Sequence, residues 1–126
     1  HAYGAYVYAP CSGRVVAGED GHAEVAAGES VRDNPAGNFA AIHCDHQETT
    51  VFLAHLQPGL SVNVGERVRG GDIVGRVGNS GRTSEPHLHI HAVAGRHSAL
   101  ADLLFKAQGL PMRFGGQVLI GTMCLK

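Results

Sequence analysis

Between Val62 and Gly78 the chain reads V-N-V-G-E-R-V-R-G-G-D-I-V-G-R-V-G, with valine and glycine recurring every few residues. β-branched valines pack well on a pleated surface, and glycines permit tight or bulged corners. The segment therefore reads as short strands joined by close turns. Glycine is frequent throughout, 18 of 126 residues, and short apolar runs separate the glycines. Such a chain builds β-structure with many turns.

The remaining pattern extends this reading. Tyr6 to Pro10 is a predicted strand, Cys11-Ser12-Gly13 a turn, and Arg14 to Ala17 the return. Gly18 to Pro35 is polar and reads as a long surface excursion. Phe39 to Cys44 and Thr49 to His55 flank Asp45-His46-Gln47-Glu48 as a predicted hairpin. Asp72 to Val77 and His87 to Val93 are further strands. Ser98 to Gln108 has helical spacing at Leu100, Leu103, Leu104 and Ala107, with Gly109 as a stop. Met112 to Ile120 forms a closing hairpin around Gly115-Gly116. The expected fold is mainly β, an antiparallel two-sheet barrel-sandwich with one short C-terminal helix. A chain of 126 residues with 44% hydrophobic content forms one domain, residues 1–126, with a real core.

His87-Leu88-His89 carries the chemical signal. Side chains two apart on a strand share a face, so two imidazoles project together, and His91 continues the row. Leu88 and Ile90 face the core. Paired imidazoles bind a metal, or divide metal binding and proton transfer between them. Ala54-His55-Leu56 adds a further candidate upstream.

Together these residues resemble the lysostaphin-type (LytM-like) zinc metallopeptidases, which cut peptides of bacterial cell walls. The resemblance rests on Phe52-Leu53-Ala54-His55-Leu56, on the V-x-x-G segment from Val62 to Gly75, and on Gly78-Asn79-Ser80-Gly81 leading to Pro86-His87-Leu88-His89-Ile90. Weaker matches are Val7-Tyr8-Ala9-Pro10, Gly13-Arg14-Val15 and Gly37-Asn38-Phe39. It implies the duplicated hybrid motif type of fold and a zinc endopeptidase acting on peptidoglycan stem peptides or cross-bridges. His89 is then a zinc ligand, and His55 and His87 are catalytic imidazoles. The family usually has glutamate where this chain has His91. The resemblance also implies groove walls at Gly18 to Pro35 and Arg82 to Pro86, and a place in the cell envelope or outside the cell.

The family's upstream H-x-x-x-D motif, which gives zinc a His and an Asp, has no counterpart before Val7. His1-Ala2-Tyr3-Gly4-Ala5 puts alanine where the carboxylate belongs. A chain opening on His is therefore expected to be truncated on its N-terminal side. Two alternatives stay open. One is a degenerate domain that binds wall peptide or activates a partner hydrolase. The other is a histidine phosphocarrier of related fold, since the V-x-x-G rhythm is shared with phosphotransferase and biotinyl or lipoyl domains. The carrier domains need a lysine at a hairpin tip, and Lys106 and Lys126 do not supply one.

Other classes find little support. A net charge of -1 provides no electrostatic reason to propose nucleic acid as a partner. No apolar run approaches a membrane span. Cys11, Cys44 and Cys124 are an odd set, and Cys11–Cys124 and Cys11–Cys44 are both possible disulfides. His43-Cys44-Asp45-His46 reads as a strand end entering a polar turn, not a second metal site.

Overall fold

The computed structural model describes residues 3–24, 36–80, 88–98, 111–114, 117–120 and 122–125. These contain ten strands: β1 (Tyr6–Tyr8), β2 (Gly13–Glu19), β3 (Asn38–Cys44), β4 (Thr49–Leu56), β5 (Arg67–Val68), β6 (Ile73–Arg76), β7 (Leu88–Ala94), β8 (Pro111–Phe114), β9 (Gln117–Ile120) and β10 (Thr122–Leu125). A six-stranded sheet has the order β10-β7-β4-β3-β2-β5, and β1 pairs with β6 in a small second sheet. β8 and β9 form a separate hairpin. The pairings are antiparallel. The mainly β, antiparallel expectation therefore holds. The helix expected over Ser98 to Gln108 falls on residues 99–110 and so lies outside the described residues, apart from Ser98 itself.

Alternation along β3, β4 and β7 divides the large sheet into two apolar faces. One face presents Val15, Ala40, Ile42, Leu53, Leu88 and Ile90 to Val7, Ala9, Val74 and Val77 around the small sheet. These side chains form the main core, and the valines of the V-x-x-G segment reach it as Val62, Val68, Val74 and Val77. The opposite face carries a second cluster, Val16, Ala17, Ala36, Phe39, Ala41, Phe52, Ala54 and Val93. Phe39 and Phe52 pack with tilted rings, 5.1 Å between centroids. Strands β3 and β4 are buried on both faces, which accounts for their nearly unbroken apolar sequence.

Three sequence expectations need adjustment. Tyr6 to Pro10 and Arg14 to Ala17 do not pair as a hairpin. β1 pairs with β6, whereas β2 pairs with β3 and β5. The chain changes sheets at Cys11-Ser12, where a disulfide ties Cys11 to Cys44 at the end of β3. Gly13 then lies so close to β3 that a Cβ there would stand 2.0 Å from the His43 carbonyl oxygen. The Gly18 to Pro35 excursion also starts later than expected, because β2 runs on to Glu19. Finally, Thr122–Leu125 is a strand on the edge of β7, which the pattern did not signal.

Other expectations stand. Residues 45–48 join β3 to β4, and β8 and β9 flank Gly115-Gly116. His43-Cys44-Asp45-His46 is the end of β3 running into a turn, with Cys44 in the disulfide.

Candidate functional site

The site begins with an irregularity in β4. Ile42 pairs with Val51 and Ala40 with Leu53, but Asn38 pairs with Leu56. Two steps along β3 thus match three along β4, which is a β-bulge. An unpaired extra residue reverses the alternation of everything beyond it. Val51 and Leu53 point into the main core, Phe52 and Ala54 point to the opposite face, and Leu56 returns to the main core. A regular strand would place His55 with Leu53. The bulge places it instead on the face of Phe52 and His89.

The backbone records this turn. His55 has φ of 62°, the positive value among non-glycine described residues. For a side chain this region costs about 1–2 kcal/mol, and such strain gathers at functional sites. Two backbone bonds hold it: His55 N–H donates to Ala36 O at 2.9 Å, and Gly78 N–H donates to His55 O at 3.0 Å. The residue is 6% exposed, and its ring Nδ1 lies 2.8 Å from the Ser80 carbonyl oxygen. A carbonyl only accepts, so Nδ1 carries the proton, and in the neutral form of the ring the lone pair is then on Nε2. An imidazole so oriented can accept a proton from a bound water.

His89 follows from ordinary alternation. Leu88, Ile90 and Ala92 point into the core, and His89 and His91 share the other face, half-buried. Ala54 pairs with His89 and Phe52 with His91. The His89 ring meets Phe52 edge-on at 6.0 Å, and His55 edge-on at 5.8 Å. His91 lies beyond it at 6.3 Å, with burial holding its pKa below the ordinary histidine value. The structure thus brings His55 and His89 together over an aromatic floor. His87 and the Arg82 to Pro86 wall lie outside the described residues.

Sequence reasoning did not single out Ser80, whose carbonyl orients His55, nor Gly37. A Cβ on Gly37 would stand 2.3 Å from Ser80 Oγ and 2.4 Å from Ser80 C, and Gly37 has φ of 63°. Only glycine lets the strand entering β3 approach Ser80 this closely. The available signal was the pair of short motifs, Gly37-Asn38-Phe39 and Gly78-Asn79-Ser80-Gly81, to which no role had been given.

Residues 1–100 match peptidase family M23. No curated protein matches the chain. Among solved structures, a point mutant of the catalytic domain of the prophage-encoded M23 protein EnpA from Enterococcus faecalis aligns at 21% identity. It has a TM-score of 0.59 and covers 76% of this chain and 64% of its own. The catalytic domain of the antimicrobial peptidase lysostaphin from Staphylococcus simulans aligns at 24% identity and TM-score 0.56, covering 76% and 63%. LytU aligns at 28% identity and TM-score 0.58, covering 76% and 58%. The chain therefore spans less than two thirds of each of these structures.

Proposed function

Because the chain belongs to peptidase family M23, we propose that it is a zinc-dependent endopeptidase domain that cleaves peptide bonds in peptidoglycan stem peptides or cross-bridges. The observation that carries this reading is the bulge that delivers His55, its Nδ1 directed at the Ser80 carbonyl, to the face of His89. An ordinary buried histidine has no need of a left-handed backbone to reach another imidazole. The structural likeness to lysostaphin and EnpA supports the same fold. The Cys11–Cys44 disulfide suits an oxidising compartment, in keeping with the cell envelope or the exterior.

In this reading His87 assists deprotonation of the attacking water, His55 contacts that water or the developing oxyanion, and one of the two returns a proton to the leaving amine. His89 is a zinc ligand. Among the described residues no group of three or more His, Cys, Asp or Glu is placed to hold a metal ion. Those residues by themselves do not make a zinc site. The substrate is a flexible wall peptide, and no helix among the described residues is long and apolar enough to cross a membrane.

The test is release of new amines from purified cell wall by the protein carrying the segment encoded upstream of His1, with and without added zinc. Zinc-dependent release that disappears in His89→Ala supports the reading. Wall binding without amine release at supplied zinc overturns it, and a non-catalytic wall-binding domain takes its place.

A further inference from the structure

The bulge that delivers His55 is tied together by a side chain outside the histidine set. Asn38 is fully buried where β3 begins. Its Nδ2 donates to Leu56 O at 3.0 Å and to His22 O at 2.9 Å, and its Oδ1 accepts from His22 N–H at 2.8 Å. Its backbone N–H donates to Ser80 Oγ at 3.0 Å, and Ser80 Oγ donates onward to Leu56 O at 2.7 Å. The side-chain amide thus pairs with both backbone groups of His22, as a neighbouring strand would. It reaches the residue after His55 at the same time.

These bonds converge on two points that determine where the His55 ring goes. Leu56 O is held by Asn38 Nδ2 and by Ser80 Oγ, which pins the peptide that follows Leu56, one residue beyond His55. The Ser80 carbonyl, which receives His55 Nδ1–H, belongs to the residue whose hydroxyl Asn38 engages. Nothing else is needed from Asn38, since it lies across the bulge from His55 and its polar atoms are all spent on backbone and Ser80. A buried amide with this many satisfied bonds, beside a strained histidine, is placed to maintain that strain.

We propose that Asn38, working with the Ser80 hydroxyl, is the positioning residue of the site. It holds the β4 bulge and thereby the orientation and tautomer of His55. The inference rests on the peptidase reading for its catalytic consequence, but not for its structural one.

The experiment compares Asn38→Ala, Ser80→Ala and Thr50→Ala with the parent chain. Thr50 is equally buried in β4 but at the other end of the hairpin, donating to Gly95 O at 2.7 Å, and serves as the control for lost stability. Two readouts are taken: the hydrogen-bonded His55 Nδ1–H resonance by 15N-edited NMR, and kcat and KM for amine release from a soluble glycine-rich peptide. Asn38→Ala is expected to lose the resonance and to lower kcat about 100-fold with KM nearly unchanged, since small misplacements of a reacting group cost this much. Ser80→Ala is expected to lower kcat about 10-fold, and it carries the test if Asn38→Ala does not fold. Thr50→Ala should melt earlier yet keep both the resonance and kcat. Folded Asn38→Ala or Ser80→Ala protein that keeps the His55 resonance overturns the proposal. If the parent protein with its upstream segment and supplied zinc releases no amines, the peptidase reading falls, and the NMR comparison still decides the role of Asn38.

Discussion

At the turn end of the β3–β4 hairpin, His43 pairs regularly with Thr50, and its Nε2 stands 3.5 Å from the highly exposed carboxylate of Glu48. At the other end, His55 sits in a bulge with a left-handed backbone, buried, its ring on a carbonyl. The two histidines belong to one hairpin and share a residue type. The first stands beside a carboxylate that is itself largely in solvent, and a contact of that kind contributes about 0–1 kcal/mol. The second is kept in place by glycine, serine and asparagine that have no other evident task. What separates the two histidines here is the structure built to hold the second, not the residue type.

The largest expected effect lies at the turn end and concerns stability alone. The Cys11–Cys44 disulfide closes a loop with a sequence separation of 33. Reduction is expected to cost about 3–4 kcal/mol of unfolding free energy on the chain-entropy account. Denaturant midpoints with and without reductant measure it. At a reductant level where the chain stays folded, the His55 ring-proton resonance should persist. Its loss would show that the two ends are coupled, and the contrast drawn between them would fail.

Activity should divide the other way. His55→Ala is expected to lower amine release about 100-fold or more, as removal of a proton-transfer group does. His43→Ala should leave the rate unchanged and shift stability by no more than about 0.5 kcal/mol. Equal losses in the two variants would mean that the site extends to the turn, or that neither histidine takes part.

Much of this was visible in the residues, and the reasons for the exceptions are physical. The β3–β4 hairpin and the β7 alternation followed from runs such as Phe39 to Cys44 and Leu88 to Val93, because burial on a face imposes period two. The nearness of His55 to His89 did not follow from that rule. Period two applied to Val51-Phe52-Leu53-Ala54-His55-Leu56 puts His55 on the wrong face, and only resemblance to a family suggested otherwise. A bulge is a long-range agreement among Asn38, Leu56 and Ser80, and no local spacing reports it. The partner of β1 was hidden for the same reason. Nothing near Tyr6 to Tyr8 indicates that Arg76 and Ile73 will lie beside it.

A smaller effect probes the glycine that admits Ser80. Gly37→Ala puts a methyl against Ser80 at a φ of 63°, with backbone on the other side of the clash. It is expected to cost about 2–3 kcal/mol from strain and overpacking together, and to reduce amine release as Ser80 moves. Gly21→Ala is the matched case, with φ of 86° and nothing within 4 Å of the added carbon. That variant should cost about 1 kcal/mol from conformation alone and leave activity intact. Thermal melts of the pair separate close approach from backbone preference. Similar melting points would mean that the contact with Ser80 relaxes freely.

The smallest effect concerns the chain as it leaves the bulge. Asp20 accepts backbone N–H bonds from Gly21 at 2.7 Å and from Gly59 and Leu60 at 2.8 Å, and so anchors the loop that follows β4. Burial pushes its carboxyl pKa up, but the bonds from Gly59, Leu60 and Gly21, helped by His22, outweigh that and bring it below the ordinary value. A lowered folded-state pKa means that the unfolded chain binds the proton more readily. The stability Asp20 contributes is therefore fully present above the unfolded value and declines as pH falls through the folded one. Because the group is largely exposed, the contribution is at most about 1 kcal/mol. Asp20→Asn should lower the melting temperature slightly near neutral pH. The gap between variant and parent should close as the pH is taken below about 4, where the free carboxyl is protonated. A gap that stays constant across that range would show that the loop depends on the shape of the side chain and not on its charge.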